Sequence, residues 1–229
     1  MKKILSVIAI MGLAPLAWGE QTPQDASDRL QHAGEVLQQV MATPDKGIPE
    51  EVMDHAKCVA VVPHLVKGGY VFGAEGGRGV ATCRTSTGWS APAFFDVEGG
   101  SWGLQIGVEG IDLVMVFQGD KGMDRLISSK FEVGGDASVA AGPVGRHASA
   151  DTDWKLNVEL LTYSRAKGLF AGLTLTGAAI RRDEDSTEAT YGHEVSTRHI
   201  LDGGEAVPAS ARSFLDAVAN AKAQAVASN

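Results

Sequence analysis

Apolar and polar positions along the 229-residue chain follow three successive patterns. The first is an apolar run from Ile4 to Ala17, broken by Gly12 and Pro15 and preceded by Lys2 and Lys3. At 14 residues it is shorter than the roughly 18 that a spanning helix needs. The second pattern has a helical period. In Gln24–Met41, the residues Ala26, Leu30, Ala33, Leu37 and Val40 recur at spacings of four and three, which places them on one face. Gln31, His32, Glu35, Gln38 and Gln39 cover the other face. Thr43–Gly47 ends this helix, and Pro49 opens a second one with Glu50 and Glu51 at the positive end of its dipole.

From Cys58 the period shortens toward that of strands. Cys58–Pro63 is a short buried-strand candidate. Gly69–Gly73 and Arg78–Arg84 flank Ala74-Glu75-Gly76-Gly77, which reads as a glycine-bearing hairpin connection. Thr85–Gly88 is another turn, leading into Trp89–Phe95. Trp102–Val108 and Ile111–Gln118 follow, the latter carrying a run from Leu113 to Phe117 that reads as fully buried. Lys121–Ser129 reads as a short helix. In Lys155–Thr162, Leu156, Val158 and Leu160 alternate with Lys155, Asn157 and Glu159, the mark of a half-buried strand. Leu169–Thr176 is a further strand. Glu194–Leu201 reads as a helix closed by Gly203, and Ala209–Gln224 as a terminal amphipathic helix.

Strands recur without the long crossover helices that a parallel sheet requires. With 28 glycines, the expected fold is therefore α+β: a curved, glycine-rich antiparallel sheet, with curvature that admits a barrel-like form, packed by N- and C-terminal helices.

Composition adds a compartment and a sign of charge. The basic start, the short apolar run and the small residues of Ala17-Trp18-Gly19 predict a signal peptide, 1–19, cleaved near Gly19. The expectation is a periplasmic or secreted protein with a single domain over 20–229. The net charge of −8 becomes −10 once Lys2 and Lys3 are removed. That field disfavours nucleic acid and bulk attraction to anionic membrane, so any anionic partner must be met by local basic groups. The two cysteines, Cys58 and Cys83, lie on predicted strands flanking one glycine-rich stretch. In an oxidising compartment they predict a disulfide.

Searches for reactive chemistry return little. Gly88-Trp89-Ser90-Ala91-Pro92 lacks the final glycine of a nucleophile elbow. Gly73–Gly79 lacks the spacing of a dinucleotide loop. Asp183, Asp185, Thr187 and Glu194 fit four positions of a calcium loop, but Glu188 stands where the sharp turn wants glycine, and a solvated acidic loop is the better reading. The six histidines show no pair at the spacing of one helical turn. No cofactor or metal site is expected. Two glycine-rich strings, Gly134–Arg146 and Tyr163–Gly172, carry tight turns and small residues rather than a reactive pair. Lys67, Arg78, Arg146, Arg165 and Lys167 sit beside glycines or at predicted strand ends, where backbone N–H groups and cations together suit an anion.

The combination of strings resembles the SYLF domain family. Matching segments include Val61-Val62-Pro63, Lys67–Val71, Gly76–Gly79, Gly88–Pro92, Asp112-Leu113-Val114, Asp136–Arg146, Tyr163–Gly172 and Tyr191-Gly192, with coverage from about Ile48 to Leu201. This domain is common in bacteria and is shared by a phosphoinositide-binding SH3 protein, yeast actin-patch proteins and plant FYVE proteins. The resemblance implies a non-catalytic lipid-binding module without cofactor, acting on a lipid or membrane surface through an anionic phospholipid or phosphoinositide-like headgroup. Eukaryotic members associate with membranes through a basic amphipathic N-terminal segment. Here Glu20–Met41 holds only Arg29 as a basic residue, which weakens the phosphoinositide expectation, and export argues against actin as a partner. Two alternatives stay open: a structural or envelope-stress protein that binds another protein, and a hydrolase with an unrecognised site.

Overall fold

A computed structural model describes residues 21–43, 47–69, 72–102, 107–128, 130–132, 139–142, 158–166, 169–171 and 177–227. The predicted leader, residues 1–19, lies outside them, as does most of Gly134–Arg146.

Helix α1 (Pro23–Met41) begins where the sequence can satisfy its first free N–H groups. The Thr22 hydroxyl accepts from the Asp25 N–H at 3.2 Å, and the Asp25 carboxylate accepts from the Thr22 N–H at 3.0 Å. Pro23 fills the first turn, where no donor is missed. The predicted apolar face is the buried one, Ala26, Leu30, Ala33, Leu37 and Val40 all being inside. Helix α2 (Glu50–His55) starts after Pro49, as expected.

Ten strands follow: β1 (Ala56–Gly69), β2 (Phe72–Thr85), β3 (Gly88–Trp89), β4 (Ala93–Trp102), β5 (Gly107–Gln118), β6 (Lys130–Glu132), β7 (Val139–Ala141), β8 (Leu160–Ala166), β9 (Leu169–Ala171) and β10 (Ala179–Arg182). Between and after them lie α3 (Gly119–Ile127), α4 (Glu184–Tyr191), α5 (Thr197–Leu201) and α6 (Arg212–Ala227). The main path through the sheet is β6-β10-β4-β2-β1-β5-β8-β7, with β3 paired to β2 and β9 to β8. The fold is α+β with helices at both ends, and the described strands form an open sheet, not a closed barrel. Every pair is antiparallel except β7 with β8.

Both sheet faces are covered at the centre, so β1 and β5 are apolar at every position there. Val59, Val61, Val114 and Val116 pack on the face under α1 and α6; Ala60, Val62, Leu113 and Met115 pack on the other, beside Leu126, Ile200 and Leu201. At Gly34 α1 and α6 pack closely: a Cβ there would stand 3.0 Å from the Ser213 carbonyl oxygen.

The structure corrects several element boundaries. The hairpin expected at Ala74–Gly77 lies inside β2 instead, and the chain reverses earlier, between Gly69 and Phe72. The glycines there admit neighbours rather than turn the chain. A Cβ on Gly77 would meet Val62 Cγ1 at 2.8 Å, and one on Gly79 would meet the Phe95 ring at 2.2 Å. The strand expected to stop at Pro63 continues to Gly69 through a bulge at Pro63–His64. Trp89–Phe95 is split at Ser90–Pro92. The strand expected over Lys155–Thr162 starts at Leu160; its first three residues lie outside the described ones. The acidic loop expected after Asp183 is helix α4, capped by the Asp183 carboxylate, which accepts the Ser186 N–H at 2.9 Å. The helix expected over Glu194–Leu201 is only α5, started by Ser196. Gly142 and Tyr163 explain part of the two glycine-rich strings: a Cβ on Gly142 would fall 2.1 Å from the Tyr163 ring.

Cys58 and Cys83 are direct partners in the β1–β2 register and are joined by a disulfide.

Three outcomes are expected. Unfolded but unreduced protein should expose no free thiol to labelling. Reduction should lower stability by about 3 kcal/mol, the chain-entropy value for a sequence separation of 25 residues; an unchanged melting temperature under reductant contradicts this. Gly79→Ala should cost about 1–3 kcal/mol in urea denaturation, because the added methyl forces the buried Phe95 ring to shift.

A charged row where the helix cover ends

One sheet face changes character within a single step of the strand period. A cross-strand row of apolar residues runs Phe94–Val80–Val61–Val114–Tyr163, each paired in register with the next and all buried under the helices. Moving two residues along each strand keeps the same face. There the row reads Asp96 on β4, Arg78 on β2, the Pro63–His64 bulge on β1, Asp112 on β5 and Arg165 on β8. Arg78 pairs with Asp96 in register, and Asp112 with Arg165. Carboxylate and guanidinium alternate on either side of the bulge.

The bulge shapes the middle of this row. Pro63 has no N–H to give to a ladder, and β1 has neighbours on both sides. One extra residue is therefore accommodated opposite β5 between Val62 and Leu65. His64 takes φ of 60°, the only positive φ outside glycine among the described residues. Its N–H then donates to Asp112 Oδ1 at 3.2 Å. Asp112 Oδ2 accepts from Arg165 Nη2 at 2.7 Å and from Nε at 3.3 Å.

Helix α1 closes the other side and leaves a cleft of about 560 Å3. It is lined by Asp25, Asp28, Arg29, His32 and Glu35 from α1, with Gln21 before it, and by Pro63, His64, Arg78, Asp112 and Arg165 from the sheet. Arg29, the one basic residue of the N-terminal segment, does not point to solvent. It is buried over the Phe94 ring and donates to Asp183 Oδ2 at 2.8 Å and to the Ser186 hydroxyl at 3.0 Å. Burial opposes the charge on Asp183, but hydrogen bonds from Ser186 and Arg29 outweigh it and hold its carboxyl below the ordinary value. Asp96 is shifted the other way. Burial, reinforced by the nearby Asp183 charge, pushes it up to about 6 against the attraction of Arg29 and Arg78. Its Oδ1 is buried with no hydrogen-bond donor, and Arg78 Nε stands 3.9 Å away.

Of the five basic residues singled out in the sequence, Arg78 and Arg165 line this one cleft. Lys67 is not among its lining residues; it pairs across strands with Glu75 at 2.6 Å. Arg146 and Lys167 lie outside the described residues. The sequence reading missed Asp96, Asp112, His64 and the Arg29–Asp183 pair. The first two were legible in principle, since each lies two residues beyond Phe94 or Val114, the last core position of its strand on the helix-covered face. The ion pair was not, because its partners are 154 residues apart. Among the described residues no three of His, Cys, Asp and Glu are grouped to hold a metal.

A family model described as "Ysc84: Las17-binding protein actin regulator" matches residues 98–221. SH3 domain-containing YSC84-like protein 1 of Rattus norvegicus is 31% identical over 175 residues, covering 76% of this chain and 51% of that protein. Protein YSC84 of Saccharomyces cerevisiae is 33% identical over 175 residues, covering 75% and 37%. LAS seventeen-binding protein 3, also of Saccharomyces cerevisiae, is 32% identical over 163 residues, covering 69% and 35%. The chain thus spans about half, or less, of the curated relatives it matches.

The two carboxylates should respond oppositely to pH. A lowered value in the folded state favours folding above the ordinary carboxylate range and loses that effect in acid; a raised value does the reverse. Asp183→Asn should therefore destabilise at neutral pH, by about 3 kcal/mol for a buried pair stripped of one charge. Asp96→Asn should stabilise at neutral pH, by about 1 kcal/mol once solvent screening is allowed for. That gain should fade as pH falls below about 6. Thermal melts of both variants from acid to neutral pH check the signs; a loss for Asp96→Asn at neutral pH contradicts the assignment.

Proposed function

We propose that this chain, which belongs to the Ysc84 (SYLF) family, is a non-catalytic binding module that takes a phosphate-bearing lipid headgroup in the cleft between α1 and the charged row. The observation that carries the reading is the convergence of Arg78 and Arg165, far apart in sequence, on one cleft that α1 leaves open. The resemblance to lipid-binding SYLF domains supports the ligand class. The acidic chain gives no long-range attraction, so affinity must come from short contacts. Guanidinium groups suit phosphate oxygens because their donors lie in one plane.

A protein ligand is the second reading. It is favoured by the printed names of the relatives, which speak of Las17 binding and actin regulation. Those names also leave the sequence-based argument against actin without support.

Export remains part of the reading. The Lys2-Lys3 start and the Ala17-Trp18-Gly19 site motivate it, and a disulfide between Cys58 and Cys83 fits an oxidising compartment.

Vesicle co-sedimentation tests the lipid reading. The protein should pellet with equal parts phosphatidylglycerol and phosphatidylcholine, and less so as salt rises. Arg78→Ala and Arg165→Ala should each weaken binding by roughly tenfold, the value of a charge-assisted hydrogen bond. Unchanged binding in both variants refutes the site, and no pelleting with any lipid moves the reading to the protein ligand. Intact mass from an envelope fraction tests export; a chain retaining Met1–Gly19 sinks the cleavage.

A further inference from the structure

The charges around the cleft are not equally engaged. Arg165 is held by Asp112 at 2.7 Å, Arg29 by Asp183 at 2.8 Å and Arg181 by Glu98 at 3.1 Å. Each of these cations has a carboxylate of its own. The Arg78–Asp96 pair is different. Arg78 is about half exposed, reaches the Gln21 side chain at the start of α1, and stands 3.9 Å from Asp96 Oδ1. That oxygen is buried and receives no hydrogen bond.

We propose that Arg78 is the cleft arginine whose contact with the phosphate ester is switchable, and that Asp96 governs it. Charged, Asp96 competes with the ligand for Arg78; protonated, it releases Arg78 and the anion binds. This rests on the reading of the cleft as a headgroup site and adds its regulation.

The groups facing Asp96 set the direction. Arg78 approaches from β2 and Arg29 from α1, both favouring the charged form. Arg181 is its register partner on β10 but is paired with Glu98. Glu98 on its own strand and Asp183 after β10 oppose the charge, as does burial. The balance favours the proton, with Asp96 raised to about 6, so the exchange falls in mildly acidic solution. Proton uptake removes one negative charge beside Arg78 as the ligand's anion arrives to replace it. The row keeps its charge balance in both states.

His32 and His64 also line the cleft, so acid-enhanced binding alone does not identify Asp96. The test therefore compares the protein with Asp96→Asn. Binding to vesicles of equal parts phosphatidylglycerol and phosphatidylcholine is measured at constant ionic strength from about pH 7.5 to about pH 5.5, a window that brackets the Asp96 value of about 6. Glycerol phosphate in solution is measured in parallel to separate a lipid from a free phosphate ester.

The expected result is a gain in affinity of about fivefold or more on acidification, the scale of one charged contact recovered. Asp96→Asn should bind at neutral pH as tightly as the unaltered protein does in acid, with little pH dependence left. Arg78→Ala should bind weakly throughout. Binding that does not change with pH, or an Asp96→Asn variant that follows the original profile, overturns the inference and leaves the headgroup reading standing. If only glycerol phosphate binds, with the same response in Asp96→Asn, the proton coupling holds and the lipid source falls. Binding of neither probe at any pH overturns both.

Discussion

A proline in a strand with neighbours on both sides is the constraint from which the site follows. Pro63 cannot donate to either adjacent strand, so β1 must bulge to keep its pairing with β2 and β5. The bulge displaces His64 into the left-handed region, and the displaced N–H captures Asp112. Asp112 in turn fixes Arg165 from β8. A local backbone necessity is thereby carried across three strands by hydrogen bonds and becomes an ordered pair of charges at the floor of the cleft.

The helix cover sets the second boundary. Alternation along a strand places the apolar row and the charged row on the same face, one pleat apart. Only the first lies wholly under α1 and α6. Arg29 and Asp183 tie the start of α1 to the cap of α4, with the guanidinium seated on Phe94. Such a pair is costly to bury and costly to break. Its role is positional: it holds α1 at the height where Val80 and Phe94 are covered and Arg78 and Asp96 are at the edge.

Within that arrangement, equal numbers of charges do not mean equal engagement. Three arginines have close partners, and the fourth stands 3.9 Å from a partly buried carboxylate oxygen that receives no hydrogen bond. The same burial that protects the core beneath Asp96 raises its affinity for a proton. The burial of the core and the charge beside Arg78 therefore meet at one side chain on its rim.

Much of the local structure was legible from the residue pattern alone. The buried face of α1, the doubly buried run Leu113–Phe117, the terminal helix and the cysteine pair follow from periodicity and from an even cysteine count, which are properties of the residue string itself. The glycines of Ala74–Gly79 misled because the same missing Cβ serves a turn and a close packing contact. Only the position of Val62, Leu65 and Phe95 decides between them. Asp183 misled because an acidic stretch reads as solvated until a distant arginine is brought to it. Arg78 and Arg165 could be singled out from their setting in the chain. That they share a cleft, and that Asp96 and Asp112 stand beside them, depended on strand register and on where α1 ends, which are set by packing between residues far apart in sequence.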